Sequence, residues 1–196
     1  MSAPSPSQTG AGGLVPPAAG RAGGPRRVAV WDPLVRLFHW SLVVAFVAAW
    51  ASGEEWRQFH EAAGYAIVAL VAIRVVWGFL GTKHARFSDF VTRPGAVLAY
   101  LRDTARLRAK RYLGHNPAGG AMVVALLVLL AVICGSGILM TTDAFWGVEW
   151  VEEAHELAVD ATLVLIAVHI LGVLVASLEH RENLVAAMFT GLKREK

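Results

Sequence analysis

The sequence is poor in cysteine, and Cys134 is its single example among 196 residues. A disulfide needs two cysteines, so none can form within this chain. The sequence also has few charged residues, which make up 17% of it against 56% hydrophobic residues. Soluble domains contain about a quarter charged residues, so this composition excludes an ordinary soluble fold and favours a lipid solvent.

Two further patterns are missing from the sequence. Residues 1–30 are rich in Ala, Gly, Pro and Ser and contain no apolar run, so we predict a disordered tail there. His60-Glu61 and His155-Glu156 look like the start of the His-Glu-x-x-His motif of zinc metalloproteases. Neither pair is followed by the second histidine, which excludes zinc hydrolysis of that type.

Long apolar stretches are the main feature that is present. Four of them are each close to the roughly 20 residues that a helix needs to cross the hydrocarbon of a bilayer; they cover residues 34–52, 60–80, 119–140 and 155–178. Asp32-Pro33 and Asn116-Pro117 combine a capping side chain with a proline, the signal for a helix start. We therefore predict an all-α membrane protein in which residues 31–180 form one bundle of four transmembrane helices.

Positive charge is concentrated on one side of this four-helix layout. The N-terminal segment, the loop 82–118 and the C-terminal tail 181–196 hold Arg21, Arg26, Arg27, Arg36, Lys83, Arg86, Arg93, Arg102, Arg106, Arg108, Lys110, Arg111, Arg181, Lys193, Arg194 and Lys196. The opposite loops hold a single basic residue, Arg57, and the acidic residues Glu54, Glu55, Asp143, Glu149, Glu152 and Glu153. The positive-inside rule therefore predicts that both termini and loop 82–118 are cytoplasmic.

The basic loop has a pattern of its own. The stretch from Arg93 to Lys110 is typical of a short amphipathic helix that lies on the membrane surface. Basic residues beside membrane spans commonly meet anionic lipid headgroups. Lipid, rather than nucleic acid, is therefore the expected partner of this charge.

Histidines inside the spans carry the predicted chemistry, because ionisable residues in a membrane are costly and indicate function. His155 and His169 are 14 residues apart. That is nearly four helical turns, so both lie on one face of helix four, separated by roughly 21 Å along its axis. Helix four therefore offers one histidine to each leaflet.

Each of these histidines has a candidate partner at matching depth on another helix. His39 lies near the cytoplasmic end of helix one and pairs with His169 as an inner site, while His60 opens helix two and pairs with His155 as an outer site. Two histidines on opposite sides of a plane suit bis-imidazole ligation of haem iron, which favours electron transfer. We therefore predict two b haems stacked across the membrane.

Other residues in the spans fit this hypothesis. Arg74 lies 14 residues after His60, at the depth of the inner site, where a haem propionate is a natural partner for a guanidinium. Gly64 and Gly172 leave room for a porphyrin on the ligand faces. Three more histidines are expected to be solvated or lipid-facing and are left out of the sites: His84, His115 and His180.

From Val30 to Lys193 the chain resembles the bacterial cytochrome b561 family and the b-type cytochrome subunits of nickel-iron hydrogenases. The likeness rests on RLFHW at 36–40, HEAAGYAIVALVAIRVVWGFLG at 60–81, GHNPAGGAM at 114–122, HELAVDATLVLIAVH at 155–169 and HRENLVAAMFTG at 180–191. It implies two b haems ligated from helices one, two and four, with ligands at His39, His60, His155 and His169. It also implies a bacterial inner-membrane protein that exchanges electrons with quinone and a redox partner. The loop between the first two helices is shorter than in other versions of the family.

Three functions are compatible with these features. The first is electron transfer between the quinone pool and a periplasmic partner, either a c-type cytochrome or a hydrogenase-like subunit. The second is a self-contained oxidoreductase that oxidises a small reductant such as superoxide and reduces quinone. The third is a cofactor-free proton or ion pathway through the same histidines and Arg74.

Overall fold

The computed structural model describes residues 26–53 and 55–195. Most of the predicted N-terminal tail thus lies outside the described residues. Four long helices make up most of the described chain: α1 (Pro33–Ser52), α2 (Arg57–Leu80), α5 (Pro117–Met140) and α6 (Glu149–Glu179). Shorter elements connect and flank them: β1 (Arg27–Ala29), a 3₁₀ turn (Lys83–Ala85), α3 (Phe87–Phe90), α4 (Pro94–Ala105), α7 (Leu184–Thr190) and β2 (Leu192–Arg194).

Two of the long helices begin where the sequence predicts. The Asp32 carboxylate accepts a hydrogen bond from the Val35 backbone N–H at 2.9 Å, and Asn116 accepts one from Gly119 at 2.7 Å. The other two begin earlier than predicted, α2 at Arg57 and α6 at Glu149. Glu149 and Glu152 occupy the first turn of α6, where the helix dipole favours negative charge, so α6 continues beyond its apolar part.

Asp32 also ties the start of α1 to the end of α2. Its carboxylate accepts hydrogen bonds from Trp77 Nε1 at 3.1 Å and from Thr82 Oγ1 at 2.6 Å. Burial alone would raise the pKa of Asp32, but these bonds and that from Val35 outweigh it and lower the pKa. The carboxylate therefore stays charged and holds the two helix ends together.

The four long helices run in alternating directions around one apolar core. The core is contributed by all four of them, and its buried members are Phe46, Ala49, Ile67, Leu130, Ile133 and Ala158. Most of the remaining apolar surface faces outward; Leu80 is 76% exposed and Leu178 is 79% exposed. Each helix is long and apolar enough to cross a membrane, and lipid is the solvent that such an outer surface requires.

We call the two ends of this bundle the basic end and the acidic end. At the basic end α1 and α5 begin and α2 and α6 finish; at the acidic end lie the turn after Ser52 and the segment 141–148. Helix α3 packs across the basic end, where Phe87 lies against Gly78 of α2 and Phe90 against Gly120 of α5. This packing brings the end of α2 beside the start of α5.

The two ends of the described chain meet at the basic end, where residues 27–29 of the predicted N-terminal tail and residues 192–194 of the C-terminal tail form strands. Strand β1 pairs antiparallel with β2, in the register Val28 with Lys193. The carbonyl of Gly191 accepts hydrogen bonds from Val30 and Trp31. Residues 27–29 and 184–194 therefore form a small cap on the bundle.

The amphipathic segment of the basic loop is shorter than predicted. It forms α4 over Pro94–Ala105 rather than Arg93–Lys110. Its buried residue Tyr100 faces the protein, whereas Leu98 and Leu101 are exposed. Two leucines thus extend the apolar surface of the bundle into the basic loop.

Candidate functional site

The structure brings the predicted histidines together in two pairs. His60 of α2 and His155 of α6 face each other near the acidic end, with ring centroids 6.3 Å apart and planes inclined by 62°. His39 of α1 and His169 of α6 face each other closer to the basic end, with centroids 6.5 Å apart and planes inclined by 50°. The pairs are separated by roughly 21 Å along α6, at 1.5 Å per residue.

The spacing within each pair suits two ligands of one metal. A metal–imidazole bond is about 2 Å long, so two imidazoles on opposite sides of one metal have ring centroids roughly 6 Å apart. Both measured separations, 6.3 Å and 6.5 Å, agree with this value. Direct contact between two imidazoles would not require the same centroid separation at both depths, whereas a shared metal would.

The backbones near the pairs leave space for a flat group. Helix α1 packs closely along α2 and α5 packs closely along α6, whereas α6 has little close backbone contact with α1 or α2. The histidine pairs nevertheless bridge α6 to α1 and α2. A Cβ atom placed on Gly64 or Gly172, near two of the ligand candidates, would meet no other atom within 4 Å. The residues present therefore fit the predicted haem at both depths.

Hydrogen bonds fix the ring orientation of the pair near the acidic end. The Nδ1 atom of His60 lies 2.9 Å from the carbonyl oxygen of Ala49, and that of His155 lies 3.1 Å from the carbonyl oxygen of Ile133. A carbonyl oxygen only accepts, so each Nδ1 carries the proton and each Nε2 keeps its lone pair. Both histidines thus present the nitrogen that a metal requires.

The pair near the basic end is held by packing instead. The Nδ1 atom of His39 is buried and has no hydrogen-bond partner among the described residues. Trp40, the next residue along α1, stacks on Phe189 of α7 with centroids 4.2 Å apart. The C-terminal cap therefore covers the face of α1 beside His39.

Arg74 is buried at the basic end, with 2% of its surface exposed. Its guanidinium carbon lies 5.3 Å from the ring centroid of Phe87 and 5.9 Å from that of Phe90. Its Nη1 atom has no hydrogen-bond partner, and it forms no salt bridge within residues 26–53 and 55–195. A buried guanidinium without an anion is costly, so this site suits a carboxylate ligand.

One of the histidines left out of the predicted sites has an unexpected position. His115 packs edge-on against Trp31, with centroids 4.7 Å apart, and against Phe90 at 4.6 Å. Burial, with a smaller contribution from the nearby Arg74 charge, lowers its pKa to about 3. His115 is therefore a neutral, partly buried packing residue, whereas the sequence predicts a solvated or lipid-facing one.

The other two excluded histidines also lie at the basic end. His84 is partly exposed, and its Nδ1 lies 3.1 Å from Asp89 Oδ2. The Nε2 atom of His180 is buried and has no partner in the described part of the chain. Within the described residues, neither of these two rings stacks against any of the four predicted ligands. His84 and His180 are therefore not part of either histidine pair.

Sequence reasoning missed one polar contact of the site. The hydroxyl of Ser136 in α5 lies 3.1 Å from Nδ1 of His155. In the sequence, Ser136 is one of several small residues of α5, which are typical of a surface for helix packing. Its position 19 residues before His155 carries no periodic signal, because the two residues lie on different helices.

Two comparisons with known proteins show what the chain is similar to. The model of one family, described as prokaryotic cytochrome b561, matches residues 30–191. A probable Ni/Fe-hydrogenase B-type cytochrome subunit from Bradyrhizobium diazoefficiens is 25% identical, and the alignment covers 87% of each chain. No solved structure matches the chain.

Proposed function

The chain belongs to the prokaryotic cytochrome b561 family, and from that premise we propose that it transfers electrons across the membrane through two b haems. It is a multi-pass membrane protein and a b-type cytochrome. Haem iron ligated by two imidazoles gains and loses one electron without an open position for oxygen. The finer assignments, namely two haems, their ligands and the redox partners, make up the proposal.

The observation that carries the proposal is the recurrence of one ligand geometry at two depths. We propose that His60 and His155 hold one haem and that His39 and His169 hold the other, in agreement with their centroid separations of 6.3 Å and 6.5 Å. Cofactor sites in helical bundles are built in this way, from side chains on facing helices. In their proposed role these residues fix two redox groups in line between the two ends of the bundle.

Further residues of the chain have proposed roles around these ligands. Arg74, with its unpartnered Nη1, would bind a propionate carboxylate of the haem nearer the basic end. Gly64 and Gly172 would allow the macrocycle to approach the helix backbones. The apolar core between the pairs, which includes Phe46 and Leu130, excludes water from the path between them.

We propose that the basic end faces the cytoplasm of a bacterial inner membrane and that the acidic end faces the periplasm. The proposed partners are the quinone pool and a periplasmic redox protein, either a hydrogenase-like subunit or a c-type cytochrome. The name of the Bradyrhizobium relative supports the hydrogenase-like choice.

The test is haem quantitation with reduced-minus-oxidised spectra of the purified protein and of four alanine variants. We expect two haems per chain in the wild type. His60→Ala and His155→Ala should lose one and the same haem, while His39→Ala and His169→Ala should lose the other. His84→Ala is the matched control, because this partly exposed histidine pairs with Asp89 and should leave both haems in place.

Three results would contradict parts of the proposal. Absence of bis-histidine bands in reduced membranes would remove the cytochrome role and leave the ion pathway. Loss of the same haem in His39→Ala and His60→Ala would show that the pairing is wrong. Turnover of quinone with a small reductant alone, without a protein partner, would favour the self-contained oxidoreductase.

A further inference from the structure

We infer that Ser136 is a positioning residue that sets the orientation and the electron-donating strength of His155, and thereby lowers the reduction potential of the haem nearer the acidic end. This inference rests on the proposed function, since it assumes that His155 is a haem ligand. It concerns a residue of α5, the one long helix that supplies no proposed ligand.

The contacts around Ser136 determine which atom donates. Its Oγ lies 2.7 Å from the Val132 carbonyl oxygen, 3.1 Å from that of Ile133 and 3.1 Å from Nδ1 of His155. A serine has one hydroxyl proton, and the nearest acceptor is the Val132 carbonyl. The hydroxyl therefore donates to its own helix and turns a lone pair toward the N–H of His155.

His155 consequently has two acceptors for one N–H. The carbonyl oxygen of Ile133 and the hydroxyl oxygen of Ser136 both lie 3.1 Å from Nδ1. Ser136 is 8% exposed and Ile133 is 9% exposed, so both acceptors are shielded from water. Acceptors at the far nitrogen of a ligating histidine fix its tautomer and raise its basicity.

The histidine opposite provides an internal comparison. The carbonyl oxygen of Ala49 accepts from Nδ1 of His60 at 2.9 Å and from the hydroxyl of Ser52 at 2.9 Å. In both cases a serine lies three residues after the carbonyl that accepts from the histidine. Ser52 donates to that same carbonyl, whereas Ser136 donates to the Val132 carbonyl one residue earlier. Only Ser136 also touches the ring; within the described residues Ser52 makes no hydrogen bond to His60.

The pair nearer the basic end lacks this arrangement. No hydrogen bond from a described residue reaches the ring nitrogens of His39 or His169, and Nδ1 of His39 is buried without a partner. The two pairs of proposed ligands thus differ in basicity although their spacing is alike. A more basic imidazole favours oxidised over reduced iron, so the pair near the acidic end has the lower potential on this account.

Redox titration of Ser136→Ala tests the inference, with Ser52→Ala as the matched control. Ser136→Ala should raise the potential of the haem that His60→Ala and His155→Ala abolish. We expect a threefold or larger change in the equilibrium constant for its reduction, about 28 mV at 59 mV per tenfold for one electron. Ser52→Ala removes an equally buried hydroxyl without a ring contact and should not raise it.

Ser136→Thr distinguishes the hydroxyl from packing. It keeps Oγ and should restore a potential close to that of the wild type. If Ser136→Ala loses haem, retention of haem in Ser136→Thr supports the role of the hydroxyl, whereas loss in both variants overturns it. Equal potentials in the wild type and in a haem-replete Ser136→Ala would also overturn the inference, while two haems in the wild type would leave the proposed function intact.

Discussion

Arg74 is the least exposed cation of the described chain, and its surroundings set a clear electrostatic requirement. Two aromatic rings lie within 6 Å of its guanidinium carbon, and cation–π contacts offset part of the desolvation cost. They do not satisfy the unpartnered Nη1. A carboxylate ligand would do so. The proposed haem propionate is a carboxylate and would lie near the basic end of the bundle, where Arg74 is buried.

Arg74→Gln tests this assignment. Removal of a positive charge beside a haem disfavours the reduced form, so the haem that His39→Ala abolishes should have a lower potential in this variant. We expect a threefold to tenfold change in the equilibrium constant, about 30 to 60 mV for one electron. Arg74→Lys keeps the charge and should shift the potential less. An unchanged reduction potential in Arg74→Gln would show that Arg74 does not contact this haem.

Gly191 is a second residue with a strict local requirement. It ends α7 with φ of 79°, and a Cβ atom there would lie 2.7 Å from the Trp31 carbonyl oxygen. Gly147 has a similar φ of 67°, but its Cβ would meet nothing within 4 Å. The two glycines therefore share the backbone strain and differ in the clash.

We expect Gly191→Ala to destabilise the protein more than Gly147→Ala does. Left-handed backbone costs an alanine about 1 to 2 kcal/mol at either position, and the clash with Trp31 adds about 1 to 3 kcal/mol. Thermal unfolding in detergent measures the difference between the two variants. Equal losses would mean that the clash with the Trp31 carbonyl adds no cost to that of the backbone strain.

Single residues also show how far the sequence alone can lead. The pairing of the four histidines can be predicted because their spacing on helices of alternating direction has a regular geometry. His115 was misplaced because its partners, Trp31 and Phe90, come from other parts of the chain. Burial of this kind depends on packing between segments, which local sequence patterns do not encode.

Among the secondary-structure elements, the C-terminal cap depends on one buried carboxylate. Glu182 is 7% exposed and accepts hydrogen bonds from Arg111 at 3.0 Å and from the Arg194 backbone N–H at 3.1 Å. Lys193 Nζ lies 3.5 Å from it and also donates to the Tyr112 carbonyl oxygen at 3.0 Å. Glu182 thus links the basic loop, β2 and the end of α6.

This network makes the cap sensitive to acid. Burial alone would raise the pKa of Glu182, but the hydrogen bonds from Arg111 and Arg194 and the charge of Lys193 outweigh it and lower the pKa below 4.5. A carboxyl whose pKa is lower in the folded state stabilises the fold above its unfolded value. That contribution is lost as pH falls through the lowered pKa.

We expect Glu182→Gln to reduce thermal stability at neutral pH, because the charged hydrogen bonds become weaker ones. The difference in Tm between the wild type and this variant should shrink as the pH falls below 4.5, the ordinary value. Glu195→Gln is a suitable control, since the pairing of this residue is through its backbone N–H to Arg26. A difference that stays constant with pH would show that the Glu182 charge does not support the cap.

The elements also differ in how well the sequence predicts them. The starts of α1 and α5 are encoded locally, by Asp32-Pro33 and Asn116-Pro117, and the structure confirms them. The pairing of β1 with β2 joins residues 27–29 to residues 192–194. Two strands of three residues have no periodicity strong enough to predict, and their partners are at opposite ends of the chain.

On the scale of the whole molecule, the charge distribution and the two histidine pairs share one axis. The four apolar helices separate a basic end from an acidic end, and the two histidine pairs lie between them. The positive-inside rule predicts the orientation of this axis in the membrane. In the proposed function, that orientation decides which histidine pair lies nearer the periplasm and which lies nearer the cytoplasm.

Cysteine labelling measures this orientation directly. Because Cys134 is the single cysteine, a Cys134→Ser chain is a background without thiols. Thr142 lies in the segment after α5 at the acidic end and Thr92 in the basic loop, and both are exposed. Substitution of either threonine by cysteine leaves the charge distribution unchanged, so the charge pattern that sets the topology is not disturbed.

In spheroplasts, a membrane-impermeant maleimide should label Thr142→Cys and should label Thr92→Cys only after lysis. The Cys134→Ser chain alone should stay unlabelled in both conditions. The opposite labelling pattern would show that the predicted membrane orientation is wrong. The His39–His169 pair would then lie nearer the periplasmic side. Because the rings of the two pairs differ in their hydrogen bonds, such an inversion would also exchange the two proposed haems with respect to the proposed periplasmic partner.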